Sequence, residues 1–269
     1  GCELRVLPVA DDGALRLDML GELIDERTRV VAVTQASNTL GTRPDLAKVI
    51  DKAHSMGAVV VVDGCQGVVH GGVDVVALDC DFYAFSAHKL YGPTGVGVLY
   101  GKRALLEAMP PYMGGGDMVD KVTFERTTYA PLPLKFEAGT ANYIGAVGLA
   151  EAIKFVESLP ADEVEQHEKA MLDYATERLM QIDGMKIYGT TEGKSPIISF
   201  NVEGCDHYDI GMILDKMGVA VRTGHHCAEP VMARYATNGV VRASIALYTN
   251  KNDIDALVAA VKRAVAMLK

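Results

Sequence analysis

The sequence predicts an α/β protein in which a mostly parallel sheet is followed by a smaller α+β unit. In the first half, short apolar strands alternate with segments of helical periodicity, the pattern of a parallel sheet covered by helices. In the second half, strands and helices mix without that strict alternation. A long helical stretch ends at Pro160, and we place the domain boundary near Ser158, giving units 1–158 and 159–269.

The elements of the first half follow from local patterns. The β-branched run Val30–Thr34 predicts a strand. Pro44 to Met56 has apolar residues at helical spacing, and Gly57 is a natural helix end. Further strands are predicted at Ala58–Val62, Phe82–Ser86 and Val96–Tyr100.

The second half begins after a glycine-rich and polar stretch, Met113 to Gly139, which predicts long surface loops. Helices are predicted at Ile144–Leu159, Glu163–Ile182, His207–Met217 and from Asn252 onwards, and strands at Ile197–Val202, Ala220–Arg222 and Val240–Ile245. The first residues, Gly1–Val9, resemble a strand entered midway, so we expect the chain to start partway through a longer protein.

Composition excludes several classes of partner. The chain of 269 residues is 49% hydrophobic and 23% charged, as in ordinary globular proteins. Its net charge of −9 argues against nucleic acid, and it has neither a signal segment nor an apolar run long enough to span a membrane. The five scattered cysteines contain no C-x-x-C pair, which favours free thiols in a reducing cytoplasm.

Two polar groups follow neighbouring strands of the predicted sheet. Asp63 closes the apolar run 59–62, and Lys89 follows Ser86 and His88 in a glycine-rich loop. Ligands of such sheets lie beyond the carboxyl ends of the strands. A reactive lysine and a carboxylate are the minimum equipment for pyridoxal phosphate chemistry, with Ser86 and His88 suited to a phosphate and Gln66 to the ring oxygen.

Cys227 is the second candidate for chemistry. Most free cysteines are small buried hydrophobic residues, and we assign that role to Cys80 and Cys205. Cys227 instead follows Arg222, His225 and His226, and such neighbours favour the reactive thiolate.

The groups around Cys227 allow other interpretations. A metal site built from His225, His226 and Cys227, with His207 and Cys205, is disfavoured because three adjacent ligands rarely reach tetrahedral geometry. Arg222 and Arg242 are either surface salt-bridge partners or, because they lie on predicted strands, groups that grip a carboxylate.

Two long motifs carry a family resemblance. Residues 86–97 read S-A-H-K-L-Y-G-P-T-G-V-G and residues 222–230 read R-T-G-H-H-C-A-E-P. They resemble the S-G-H-K-x-x-G-P-T-G-[IV]-G and R-x-G-H-H-C-A-x-P motifs of the SufS-like (group II) cysteine desulfurases. The similarity also includes residues 36–41 and 136–140 and runs over essentially the whole chain.

The resemblance implies a fold-type-I architecture, a cytoplasmic homodimer and conversion of L-cysteine to L-alanine with a persulfide on Cys227. It implies that the sulfur passes to a SufE- or SufU-like acceptor protein for iron–sulfur cluster assembly. The implied cofactor-binding residues are Lys89 (the Schiff-base lysine), Asp63, Gln66, Ser86, His88 and the partner-directed Thr140. The implied substrate-binding residues are Asn38, Arg222 and Arg242, and the implied catalytic residues are Lys89, Cys227 and His225, with no metal.

The chain departs from the family pattern in three respects. It lacks about the first third of the family's length, Ala87 replaces a usual glycine, and Cys65 replaces a usual alanine. Three alternatives therefore remain open: a selenocysteine lyase, a cysteine sulfinate desulfinase, and an inactive fragment that holds no cofactor.

Overall fold

The computed structural model describes residues 1–269 and contains two four-stranded sheets with a small hairpin between them. The first sheet has the order β1-β2-β3-β4, and the second has the order β7-β8-β10-β9. The strands are β1 (Val30–Thr34), β2 (Val59–Asp63), β3 (Phe82–Ser86), β4 (Gly97–Gly101), β5 (Val119–Val122), β6 (Thr127–Tyr129), β7 (Met185–Tyr188), β8 (Ile197–Val202), β9 (Arg222–Gly224) and β10 (Val240–Ser244).

Nine α-helices lie before, between and after the strands. They are α1 (Leu20–Leu23), α2 (Leu46–Ser55), α3 (Val75–Leu78), α4 (Arg103–Ala108), α5 (Tyr143–Glu157), α6 (Ala161–Met180), α7 (His207–Lys216), α8 (Glu229–Arg234) and α9 (Lys251–Leu268). Short 3-10 turns lie at Leu17–Met19, Ala87–Lys89 and Leu134–Phe136. No helix combines the length and the apolar character that crossing a bilayer requires.

The first sheet confirms the α/β prediction. Strands β1, β2 and β3 are parallel, and β4 pairs antiparallel with β3. Helix α2 begins after Asp45, whose side chain caps the amide of Lys48, and it ends at Ser55. Met56 is the C-cap, and Gly57 beyond it takes a left-handed backbone. Its buried face packs with β2 in a core of eight buried residues.

The second sheet is antiparallel and carries the larger core. Nineteen buried residues from α6, α7, α9 and the strands form one cluster. Helix α9 begins with a capping box in which Asn250 and Asp253 satisfy each other's backbone amides. The sheet face opposite this cluster meets the turn that follows β1, and this contact joins the two halves of the chain.

Four sequence predictions need correction. Residues 1–9 form no strand, and only an isolated bridge joins Val9 to Leu15. The region predicted as loop contains the hairpin β5–β6, and β7 was not predicted. The strand predicted at Ala220–Arg222 lies at Arg222–Gly224, where β9 pairs with β10.

Candidate functional site

The ends of β2 and β3 bring one group of the predicted site residues to the same sheet edge. Asp63 is the last residue of β2 and Ser86 the last residue of β3, and these neighbouring strands are parallel. Lys89 ends the 3-10 turn that follows Ser86. Parallel strands expose their carboxyl ends together, so both groups lie where a ligand of this sheet would bind.

The turn after Asp63 is held by close packing. The Oδ1 atom of Asp63 accepts a hydrogen bond from the amide of Cys65 at 2.9 Å. Beneath the turn, the hydroxyl of Tyr83 donates to Oε1 of Gln35. A Cβ atom at Gly64 would lie 1.9 Å from the Tyr83 ring, so only glycine fits there. The hydrogen-bonded pair of Tyr83 and Gln35 therefore supports the turn that carries Asp63 and Gln66.

The polar groups of this edge have free capacity for a ligand. The sulfur of Cys65 lies 3.8 Å from the hydroxyl of Ser86. The Ser86 hydroxyl forms no other side-chain hydrogen bond. Lys89 is partly buried and His88 is exposed. A primary amine, a carboxylate, a hydroxyl and an imidazole at the ends of adjacent strands fit an aldehyde-bearing, phosphorylated aromatic cofactor.

A second group of predicted residues surrounds Cys227. The side-chain nitrogen Nδ2 of Asn38 donates to the backbone carbonyl of His226 at 2.7 Å. Nη1 of Arg242 donates to the backbone carbonyl of Asn38 at 2.8 Å. Arg222 lies opposite Arg242 in the strand pair, and its Nη2 atom is 3.9 Å from Sγ of Cys227. Residues nearly two hundred positions apart thus meet beside one exposed thiol.

The two arginines leave positive charge without a partner. Neither forms a salt bridge with the other described residues, except that Arg222 approaches the thiol, and Nε of Arg242 is buried without a hydrogen-bond partner. Burial lowers the pKa of Arg242, and the neighbouring Arg222 lowers it further. Guanidinium groups nevertheless stay protonated, so the site offers a place for a carboxylate.

The two adjacent histidines have different environments. His225 is exposed, whereas His226 is 2% exposed and its Nε2 atom lies 3.1 Å from the carbonyl of Val240. A carbonyl only accepts, so Nε2 carries the proton, and Nδ1 is left buried without a partner. Burial lowers the pKa of His226 to about 4. The sequence singled out His225, and nothing in the motif indicated that His226 is the anchored residue.

Backbone conformation shapes the loop that carries the thiol. His226 and Cys227 both have left-handed backbone, with φ of 55° and 59°. Such conformations are uncommon for residues with a side chain, and they cluster at functional sites. The contacts of His226 with β10 and with Asn38 hold this conformation from both sides.

The other predicted residues have separate locations. Thr140 is exposed on the loop before α5 and forms no hydrogen bond with Asp63, Ser86 or Lys89. Cys80 is fully buried as predicted, but Cys205 is only partly buried against the larger core. All five cysteines are free, and no group of three or more His, Cys, Asp or Glu side chains is arranged to hold a metal ion.

Comparison with known proteins defines the family. The model of the aminotransferase class-V family matches residues 1–257. The chain belongs to the class-V aminotransferase family, and the predicted fold-type-I architecture, an α/β fold with a mostly parallel sheet, is thereby confirmed.

Individual relatives are similar over nearly the whole chain. A protein named cysteine desulfurase from Dickeya dadantii is 50% identical over 98% of this chain and 64% of the relative. One of the same name from Pectobacterium carotovorum is 48% identical and is covered over 65% of its length. The chain therefore spans just under two thirds of these relatives.

Solved structures give the same result. The crystal structure of the cysteine desulfurase CsdA (S-sulfonic acid) from Escherichia coli superposes with a TM-score of 0.94 at 44% identity, over 98% of this chain and 65% of that one. The apo structure of cysteine desulfurase from Thermococcus onnurineus NA1 superposes with a TM-score of 0.93 at 34% identity, over 99% of this chain and 67% of that one.

Proposed function

We propose that the protein is a pyridoxal phosphate-dependent cysteine desulfurase that moves sulfur from L-cysteine to Cys227 and releases L-alanine. The observation that carries the proposal is the exposed Cys227 thiol beside Arg222, on a loop joined to Arg242 through Asn38. Relatives with this name at about 50% identity support the same activity.

In this proposal Lys89, Asp63, Gln66, Ser86 and His88 hold the cofactor. When bound, pyridoxal phosphate supplies an electron sink that weakens bonds around the amino acid's Cα atom. The amine of Lys89 is the base that moves the proton at Cα, and Asp63 keeps the ring nitrogen protonated. The thiol of Cys65 lies beside the Ser86 hydroxyl at the same sheet edge.

The substrate is held by its carboxylate. Arg242 offers its partly exposed guanidinium, and Arg222 adds a second positive charge across the strand pair. The backbone carbonyl of Asn38 accepts from Arg242 and keeps it in place, and the side-chain amide of Asn38 donates to the loop that carries Cys227. Carboxylate binding and loop position are therefore coupled through one asparagine.

Cys227 performs the sulfur transfer. Its thiolate attacks the sulfur of the bound cysteine, so a new S–S bond forms while the Cβ–S bond of the substrate breaks. The electron pair of the broken bond stays with Cβ, where the addition of one proton completes the methyl group of alanine. The guanidinium of Arg222 attracts the negatively charged thiolate. The products balance as L-alanine and a Cys227 persulfide, and the exposed His225 is placed to assist proton movement at the loop surface.

A homodimer and an acceptor protein complete the proposal. Tyr143, Ile144 and Val147 at the start of α5 are 66%, 74% and 65% exposed, and Thr140 precedes them. A contiguous apolar face of this kind supports association with a second subunit whose cofactor phosphate Thr140 would reach. The persulfide would pass to a SufE- or SufU-like acceptor for iron–sulfur cluster assembly in the cytoplasm, which is the SufS-like role.

The domain boundary is part of the same proposal. Helix α5 ends at Glu157, and α6 begins at Ala161 after Pro160. Buried residues of α6 belong to the core of the second sheet, whereas those of α5 pack with residues near Lys89. These packing partners support a cofactor unit at 1–158 and a cysteine-loop unit at 159–269.

The test is incubation of the protein at its natural length, loaded with pyridoxal phosphate, with L-cysteine. We expect equal amounts of alanine and of protein-bound or released sulfur, and we expect Cys227→Ser to lose at least 100-fold of sulfur transfer to an acceptor. The matched control is Cys205→Ser, a thiol outside the site, which should retain the transfer.

Other outcomes of this test would overturn the proposal. Faster turnover of selenocysteine or cysteine sulfinate that survives Cys227→Ser indicates one of the alternative lyases. A protein that stays colourless with added pyridoxal phosphate indicates a chain that holds no cofactor.

A further inference from the structure

Four side chains form one row across the second sheet. Tyr188 on β7 is paired with Ser199 on β8, Ser199 with Arg242 on β10, and Arg242 with Arg222 on β9. Directly paired residues of antiparallel strands point to the same face. The row therefore presents a tyrosine, a serine and two arginines on the face that meets the turn after β1.

That turn, Ser37–Gly41, is anchored to the row through its carbonyls. The hydroxyl of Ser199 donates to the carbonyl of Thr39 at 2.6 Å. Arg242 donates to the preceding carbonyl, that of Asn38. Thr39 and Ser199 are both fully buried, so water does not replace this hydrogen bond.

The two carbonyls belong to consecutive peptide groups that share the Cα atom of Thr39. Without the hydrogen bond from Ser199, a displacement of the Thr39 carbonyl moves this shared atom and so shifts the Asn38 carbonyl, because each peptide group moves as a planar unit. The carbonyl of Asn38 sets the direction of Nη1 of Arg242. Because the guanidinium is planar, fixing Nη1 orients the whole of this partly exposed group.

We propose that Ser199 is a positioning residue that, through the Asn38–Thr39 backbone, aims Arg242 at the carboxylate of the substrate. This inference rests on the proposed function, because it concerns how the same carboxylate is bound. Ser199 lies far from Asn38 in sequence and outside both long motifs, and it acts on the site only through the backbone that it holds.

The expected result of Ser199→Ala is a rise in KM for L-cysteine of about fivefold with kcat within about twofold. Loss of a binding interaction that is equal in the ground state and the transition state raises KM alone. The hydroxyl donates to the carbonyl of Thr39 and forms no hydrogen bond with Lys89 or Cys227, so the chemical step is preserved.

A matched control removes a different buried hydroxyl, that of the residue immediately after this turn. Thr42 donates to the carbonyl of Gly13 at 2.9 Å rather than to the sheet. Thr42→Val should lower stability by a similar amount and leave KM unchanged. An equal rise in KM for both variants would show that the turn is merely loosened and would overturn the proposal.

Coupling to Arg242 distinguishes positioning from general destabilisation. In an Arg242→Lys background, Ser199→Ala should change KM by less than twofold, because the planar guanidinium that Ser199 orients is no longer present. The same fivefold rise in both backgrounds contradicts the proposal.

A second variant covers the case in which Ser199→Ala does not fold. Ser199→Cys keeps a side chain of similar size with a weaker donor, so it should raise KM in the same direction. If the unsubstituted protein releases no alanine, the proposed function fails. If it is active and the Ser199 variants keep their KM, only this inference fails.

Discussion

At the scale of single residues, His226 fixes the position of the loop that carries Cys227. Its ring donates to Val240 on β10, and its carbonyl accepts from Asn38, so the residue before the thiol is tied to both halves of the chain. Because the ring is buried, it remains neutral at pH 7, with its pKa lowered to about 4. The donor at Nε2 is present in both protonation states, and a second ring proton is disfavoured because Nδ1 is buried without a partner.

We expect this histidine to make the protein less stable in mild acid. The unfolded chain takes up a proton near pH 6.5, whereas the folded chain takes it up only near pH 4. The unfolded state therefore binds more protons between these values, and the free energy of unfolding falls as the pH drops from 6.5 to 4, by at most about 3 kcal/mol.

Urea denaturation at pH 7.5 and pH 4.5 checks this expectation. His226→Asn, which tolerates the left-handed backbone, should lose less stability across this interval than the unsubstituted protein. His225→Asn is the control, because that ring is exposed. Identical pH dependence in the protein and in His226→Asn would contradict the assignment.

The turn after β2 illustrates how one element depends on its neighbour at the element scale. Gly64 lies against the ring of Tyr83, which comes from β3 and is 1% exposed. The Tyr83–Gln35 pair fills the space under the turn. Burial raises the pKa of Tyr83 far above its usual range, so its hydroxyl stays protonated and donates at any working pH.

Gly64→Ala should therefore destabilise the protein strongly. The added methyl group would lie 1.9 Å from a buried ring that cannot move without emptying the core, so we expect a loss of about 3 kcal/mol or more. Gly114→Ala is the control, because no atom lies within 4 Å of the added Cβ and its backbone φ is not positive.

The midpoint of urea unfolding measures both effects. A change at Gly64 no larger than at Gly114 would show that the turn has room to relax. Because the proposed function assigns Asp63 and Gln66 on this turn to the cofactor, Gly64→Ala should also weaken the retention of pyridoxal phosphate.

The two halves of the whole molecule meet through buried polar contacts. Nδ1 of His70, after β2, lies 2.9 Å from Oε2 of Glu168 on α6, and both side chains are 7% exposed. Oε1 of Glu168 has no partner. A buried pair of this type is sensitive to the loss of one member, which leaves the other without a partner in a poorly solvated place.

Glu168→Ala should accordingly lower the free energy of unfolding by on the order of 3 kcal/mol. Glu165→Ala removes the same side chain from an exposed position of the same helix and should change stability by less than about 0.5 kcal/mol. Chemical denaturation followed by circular dichroism measures both. Equal effects at the two positions would show that the His70 contact does not stabilise the junction.

Local pattern predicted most elements well. The strands at Val30–Thr34, Phe82–Ser86 and Ile197–Val202 have the predicted bounds, because β-branched and apolar runs are local signals of a buried strand. The hairpin β5–β6 and strand β7 were not predicted, because their residues are polar or few and pair only where a partner strand is available.

The sequence determined by itself which candidate groups the chain carries: an amine after one strand, a carboxylate after another, and a thiol in a cationic loop. The tertiary structure alone decided which groups meet, since Asn38, Ser199, His226 and Arg242 become neighbours only through strand register and the docking of two sheets. The physical reason is that periodicity and turn residues act over a few positions. A hydrogen bond between residues 38 and 226 depends instead on every packed element between them.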